Sequence, residues 1–118
     1  KNKNWDLYAK LLTDIPYINL LSFRQGIHSN KWFYSLLCDG GCRQRYLIQA
    51  LSKQKIQTRP IWGLIHQQVP YRDSITYRIK EAPYYRDHIV NIPCSTNLTE
   101  GQIKRVVEVL KEVTNHAD

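Results

Sequence analysis

Methionine is absent from this 118-residue chain. A sequence that opens at Lys1 without an initiator of its own is expected to be either processed or a piece of something longer, and the piece is the favoured expectation. Cysteine is scarce and odd in number: Cys38, Cys42 and Cys94. An odd set argues against a disulfide framework. The Cys38/Cys42 spacing has no second pair or His at zinc-finger distance, so no structural metal is expected and the thiols read as reduced and buried. The five glycines are scattered or form the turn pair Gly40-Gly41, which leaves no phosphate-cradling loop. No apolar run approaches the roughly 18–20 residues of a membrane span. The longest patches, Trp32–Cys38 and Ile61–Ile65, are strand-sized. No signal-peptide pattern follows Lys1, so a cytoplasmic chain is expected and the sequon Asn97-Leu98-Thr99 is taken as chance.

Catalytic patterns are lacking too. There is no G-x-S-x-G elbow, and His28, His66, His88 and His116 include no i, i+4 pair. Neither a catalytic residue nor a metal ligand is assigned to this segment.

What is present describes one globular domain spanning residues 1–118, with 42% hydrophobic and 23% charged residues. The net charge of +7 raises the possibility of a nucleic-acid partner, but the 17 basic residues run from Lys1 to Lys111 without a dense cluster. A solvated face, acidic ligands or an acidic partner domain account for them better.

Periodicity predicts a helix over Asn4–Asp14, with Trp5, Tyr8, Leu11 and Leu12 on one face and Pro16 closing it. Ile18–Phe23 and Lys31–Cys38 read as strands around a loop at Arg24–Asn30. Asp39–Gly41 is a turn signal, and Arg43–Gln54 a helix with Tyr46, Leu47, Ala50 and Leu51 inward. Ile56–Trp62 reads as a third strand. Ile79–His88 is a short helix only if Pro83 sits in its first turn. Ile89–Ile92 is a strand. The last helix carries Ile103, Val106, Val107, Leu110 and Val113 on one stripe, with Thr99 and Gln102 as a capping box and Leu98 stapled to Ile103. The order α-β-β-α-β-loop-(α)-β-α predicts an α+β, two-layer unit, helices packed on a mainly antiparallel sheet.

The chemically richest stretch is Ile56-Gln-Thr-Arg-Pro-Ile-Trp-Gly-Leu-Ile-His-Gln-Gln-Val-Pro-Tyr-Arg-Asp73. It gathers Arg59, Arg72, His66, paired glutamines, Trp62 and Tyr71, with Pro60 and Pro70 fixing the backbone among them. Fork-shaped Arg donors and flat aromatic faces suit phosphates and rings, so the stretch reads as a loop that orients a polar, anionic ligand. The competing reading is an ordinary strand followed by an irregular surface loop, with Trp62 as core, Tyr71 as packing after Pro70 and Arg59 as a surface charge.

This run, with Ser29-Asn30-Lys-Trp32-Phe-Tyr-Ser-Leu-Leu37 before it and Asn91-Ile-Pro-Cys-Ser95 and Asn97-Leu-Thr-Glu-Gly-Gln-Ile103 after it, resembles the C-terminal part of the DegT/DnrJ/EryC1/StrS sugar aminotransferases. The resemblance covers nearly the whole chain and is greatest to the branch acting on nucleotide-linked amino-sugar precursors. It implies the C-terminal small domain of a fold type I, pyridoxal-phosphate (PLP) enzyme that moves an amino group, usually from glutamate, to a keto sugar on a nucleotide carrier. It also implies a homodimer with active sites between subunits. The family's Schiff-base lysine, the carboxylate for the pyridine nitrogen and most of the phosphate cup belong to a large N-terminal domain not present in this sequence, so the segment alone is expected to bind no PLP and to be catalytically incompetent. Lys31 stands where relatives carry an aromatic residue and has no catalytic role in this comparison, and Pro83 falls in a segment that is usually helical. The resemblance assigns substrate contacts to Asn30, Trp32, Arg59, Trp62, His66, Gln68 and Tyr71. Arg59 would pair with an anion, Trp62 and Tyr71 would form walls, and His66 and Gln68 would hydrogen-bond the sugar or base. The alternatives are a free-standing ligand-binding module that kept the fold without the chemistry and, last, a basic nucleic-acid-binding domain.

Overall fold

The computed structural model describes residues 1–40 and 42–116; Gly41 of the expected turn lies outside them. Four helices, α1 (Asn2–Leu11), α2 (Gln44–Lys53), α3 (Glu81–His88) and α4 (Glu100–Asn115), accompany four strands, β1 (Ile18–Leu20), β2 (Tyr34–Cys38), β3 (Arg59–Pro60) and β4 (Ile89–Ile92). The sheet runs β1-β2-β4-β3 with every pairing antiparallel. The fold is α+β, and the element order is the one expected.

Strand side chains alternate between faces. On β2 and β4, Tyr34, Leu36, Cys38, Val90 and Ile92 join one core with Tyr8 and Leu12, Leu47 and Leu51, and Ile103, Val106, Val107 and Leu110. Helices α1, α2 and α4 therefore cover one face of the sheet. Within that core Tyr8 meets Tyr34 edge-on at 5.7 Å, and the Tyr34 hydroxyl donates to the Lys1 carbonyl at 2.7 Å. Burial pushes the Tyr8 hydroxyl well above the ordinary phenol pKa.

The last helix forms as its pattern predicts. Thr99 Oγ1 accepts from the Gln102 amide at 3.2 Å, and Gln102 Oε1 accepts from the Thr99 amide at 2.9 Å. Leu98 packs against the core beside Ile103. Helix α2 ends less expectedly. Lys55, at φ 60°, donates to the Ser52 carbonyl, and the Ile56 amide reaches back to Leu51 at 2.9 Å. This is a Schellman closure with the buried pair Leu51/Ile56 across it, built on a lysine where glycine is the usual residue. Pro83 lies in the first turn of α3, the one place a proline fits.

Several boundaries differ from expectation. Tyr46 is exposed, while Leu47 and Leu51 are buried and Ala50 is half-buried, so the inward face of α2 is narrower than the pattern suggested. The second strand starts at Tyr34 because the preceding backbone is used locally. Ser29 Oγ accepts from the Lys31 amide, Asn30 Oδ1 accepts from the Trp32 amide, and Lys31 sits at φ 49°. Instead of pairing in a buried strand, Trp32 stands 68% exposed. The first strand stops at Leu20, although the Leu21 amide still bonds the Ser35 carbonyl. The third strand shrinks from Ile56–Trp62 to Arg59–Pro60, at the sheet edge, where Pro60 has no N–H to extend a ladder. Cys38 and Cys42 are buried free thiols and Cys94 is half-buried. Among the described residues, no helix is long and apolar enough to cross a membrane.

Candidate functional site

The sheet face turned away from α1, α2 and α4 is where the chemistry collects. Alternation places Ser35 and Leu37 on it. The register sets Asn91 opposite Ser35 and Arg59 opposite Asn91, so these three side chains form a polar row across three strands. Ser35 Oγ donates to Asn91 Oδ1 at 2.7 Å. Asn91 is only 9% exposed, and Arg59 makes no hydrogen bond or ion pair among the described residues.

Next to the row opens a cavity of about 730 Å³ walled by Phe33, Trp62, Pro93 and Cys94, with Arg59 and Asn91 in its lining. The Phe33 and Trp62 rings meet edge-on at 5.0 Å. Phe33 also walls a neighbouring cavity of about 380 Å³ that contains Asn30 and Trp32. Trp32 stacks parallel on Phe33 at 5.9 Å, which links the two hollows through three aromatic rings. Such rings present flat apolar faces beside fixed hydrogen-bond donors, the composition of a small-molecule cleft.

Of the residues singled out in the sequence, the structure brings Arg59 and Trp62 into one hollow and Asn30 and Trp32 into the next. His66, Gln68 and Tyr71 line neither. They lie on two 3₁₀ turns, Ile65–Gln67 and Val69–Tyr71, beyond Trp62. There Gln68 Nε2 donates to the Gly63 carbonyl, and the Tyr71 amide bonds the Gln68 carbonyl. Asn30 uses its side-chain oxygen to hold the Trp32 backbone and so sets that ring's position. Lys31 is turned to Asp6 at 3.5 Å and lies over the Trp5 ring at 4.2 Å, outside both cavities.

The sequence reading missed Phe33, Ser35 and Asn91 as site residues. The signal for Asn91 was a single polar residue inside the apolar run Ile89-Val-Asn-Ile92. It also missed the anchor of the rich loop: Arg86 donates to Gln67 Oε1 at 3.0 Å while pairing with Asp87 at 2.9 Å. The hydrogen bond and charge of Asp87 raise the Arg86 pKa, and the Arg86 partner holds the Asp87 carboxyl below its ordinary value.

The large cavity contains neither a lysine amine nor a carboxylate in its lining. Its residues do not fit PLP by themselves, since that cofactor needs an amine for its aldehyde and an acid for its ring nitrogen.

A family model described as the DegT/DnrJ/EryC1/StrS aminotransferase family matches residues 1–111. The chain belongs to that family. EpsN of Bacillus subtilis (strain 168), which carries the description of a pyridoxal phosphate-dependent aminotransferase, is 28% identical over 86 residues, covering 70% of this chain and 22% of EpsN. Among solved structures, DesI in the presence of its TDP-sugar product superposes with a TM-score of 0.87 at 18% identity, over 98% of this chain and 30% of DesI. PseC of Helicobacter pylori, an aminotransferase of pseudoaminic acid biosynthesis, gives 0.81 at 18% identity, over 97% and 32%. The sugar aminotransferase CalS13 of Micromonospora echinospora gives 0.81 at 21% identity, over 94% and 29%. The structural matches fix the fold. The chain of this DegT-family protein spans about a third or less of each of these relatives.

Proposed function

We propose that this chain is the C-terminal small domain of a PLP-dependent aminotransferase acting on nucleotide-linked keto sugars in amino-sugar biosynthesis. The observation that carries the reading is the sheet face itself: Arg59, Trp62, Phe33 and Asn91 line one hollow on the side of the sheet that these helices leave open. In this reading the open face meets a large domain that holds PLP, and a homodimer completes the cleft. PLP supplies an electron sink for moving the amino group when bound. The residues of this chain bind and orient: Arg59 holds an anion, Trp62 and Phe33 flank a flat group, and Asn30 fixes Trp32 at the mouth of the adjoining hollow. His66, Gln68 and Tyr71, on the loop beyond Trp62, extend the substrate-binding surface outside the hollow. The amino donor is glutamate, the location the cytoplasm, and the chain alone neither binds PLP as an aldimine nor transaminates.

Two measurements test this. The complete protein, incubated with PLP, glutamate and nucleotide-linked keto sugars, is expected to yield an amino sugar. The 118-residue chain with PLP is expected to show no borohydride-reducible adduct. A stoichiometric adduct on one lysine of the chain, or no amino transfer by the complete protein, would overturn the reading.

A further inference from the structure

We propose that Asn91 is an oxyanion-binding residue of this face, acting together with Arg59 and held in orientation by Ser35. The inference rests on the function proposed above and adds residues to its site. Asn91 is a buried polar side chain in the middle of the sheet, and its oxygen is already taken by the Ser35 hydroxyl. Its amide nitrogen has no partner among the described residues and the side chain lines the cavity, so what it presents there is donors only. That nitrogen is not sealed in the core, so its hydrogens are open to a ligand acceptor in the cavity. Arg59 stands directly across from it on β3. Cβ atoms of opposed residues in an antiparallel pair lie about 4.5–5.5 Å apart, within the span of a carboxylate or phosphate.

The chemistry of the lining agrees. Guanidinium and a Ser-locked amide offer hydrogens and no acceptor, and neither Asp nor Glu lines the cavity. A ligand group with acceptors only, in a charge-assisted geometry, satisfies this set. That group is an oxyanion: the diphosphate of the nucleotide or the carboxylate of the amino donor. The sheet gives the pair rigidity that a loop arginine alone lacks, because the hydrogen bond from Ser35 fixes which end of the amide faces the cavity.

The test uses the complete protein and two probes, uridine diphosphate and L-glutamate, with dissociation constants from titration calorimetry. Asn91→Asp keeps the shape, removes the amide donors and sets a carboxylate beside Arg59. It is expected to weaken one probe about tenfold or more and to spare the other, the weakened probe naming the source of the anion. Ser35→Ala is expected to weaken the same probe a few-fold, while Ser35→Thr, which keeps the hydroxyl, stays close to wild type. Asn91→Ala in an Arg59→Ala background is expected to cost less than it does alone, since both residues act on one group. A merely structural Asn91 predicts equal losses for both probes and independent, multiplying losses in the double variant. Either result overturns the inference, as does unchanged binding in Asn91→Asp or a wild-type protein that binds neither probe. Failure of amino transfer by the wild type sinks the function reading, whereas UDP or glutamate binding untouched by Asn91→Asp sinks this inference alone.

Discussion

Leu110 illustrates how a single position separates packing from surface. It is fully buried at the centre of the core, whereas Glu108, two residues earlier on α4, is exposed. Leu110→Ala should cost about 2–5 kcal/mol, the range for removing a buried leucine and leaving part of a cavity. Glu108→Ala should change stability by well under ~1 kcal/mol. Urea denaturation of the two variants checks this, and equal effects would mean the helix face is misassigned. The cysteines give a second residue-scale prediction. The neighbouring Cys42 thiol, together with burial, holds the Cys38 thiol far above its ordinary pKa. Cys42 is lowered by the adjacent Cys38 thiol but remains buried. Only Cys94 is half-exposed, so a thiol-reactive disulfide should modify Cys94 first and reach Cys38 and Cys42 only on unfolding. Rapid labelling of Cys38 in the native protein would contradict this. At this scale the sequence was legible where burial follows from period, as in Ile103, Val107 and Leu110. Asn91 stayed hidden because its meaning comes from Ser35 and Arg59 on other strands, and nothing local announces those pairings.

Among the elements, α4 was readable at both ends of its logic, from the Thr99/Gln102 cap to the stripe, because every cue lies within a few residues. Thr99→Ala should destabilise by about 0.5–2 kcal/mol through loss of the cap. The C-terminus of α2 was not readable. A Schellman closure is usually announced by glycine, and here a left-handed Lys55 takes that role. Lys55→Gly should therefore stabilise the chain by about 0.5–1 kcal/mol, since glycine adopts this backbone without the steric cost borne by an L side chain. A lower melting temperature for Lys55→Gly would argue against the closure. Strand extents were the least legible feature. β3 keeps only Arg59–Pro60 because an edge position and a proline both limit pairing, and β2 begins late because Ser29 and Asn30 hold the backbone before it in local turns. Both effects depend on tertiary placement more than on the hydrophobic pattern that suggested longer strands.

Across the molecule, the two faces of the sheet differ in kind. One is sealed by α1, α2 and α4, and the other exposes the aromatic trio Trp32, Phe33 and Trp62 together with the Arg59–Asn91–Ser35 row. The loop beyond Trp62 adds Ile65, Val69, Tyr71, Ile75 and Tyr77, all exposed. So much exposed apolar surface fits a domain that works against further protein and a ligand. Family and layer architecture were visible in the sequence, from the motif order and the alternation of elements. Of the residues singled out in the sequence, Arg59 and Trp62 share one hollow, while His66, Gln68 and Tyr71 sit apart from it on their 3₁₀ turns, because tertiary placement of that loop leaves no local signal. The central claim is that the open face holds the anionic ligand of an aminotransferase through Arg59. Its most direct test is steady-state kinetics of the complete protein carrying Arg59→Ala, with the nucleotide sugar and the amino donor each varied and the PLP absorption recorded. A charge-assisted donor contributes about 1.5–3 kcal/mol, so kcat/KM for one of the two substrates should fall roughly ten- to hundred-fold while the cofactor band is unchanged. Wild-type kcat/KM for both substrates in that variant would place the face away from the chemistry and contradict the account.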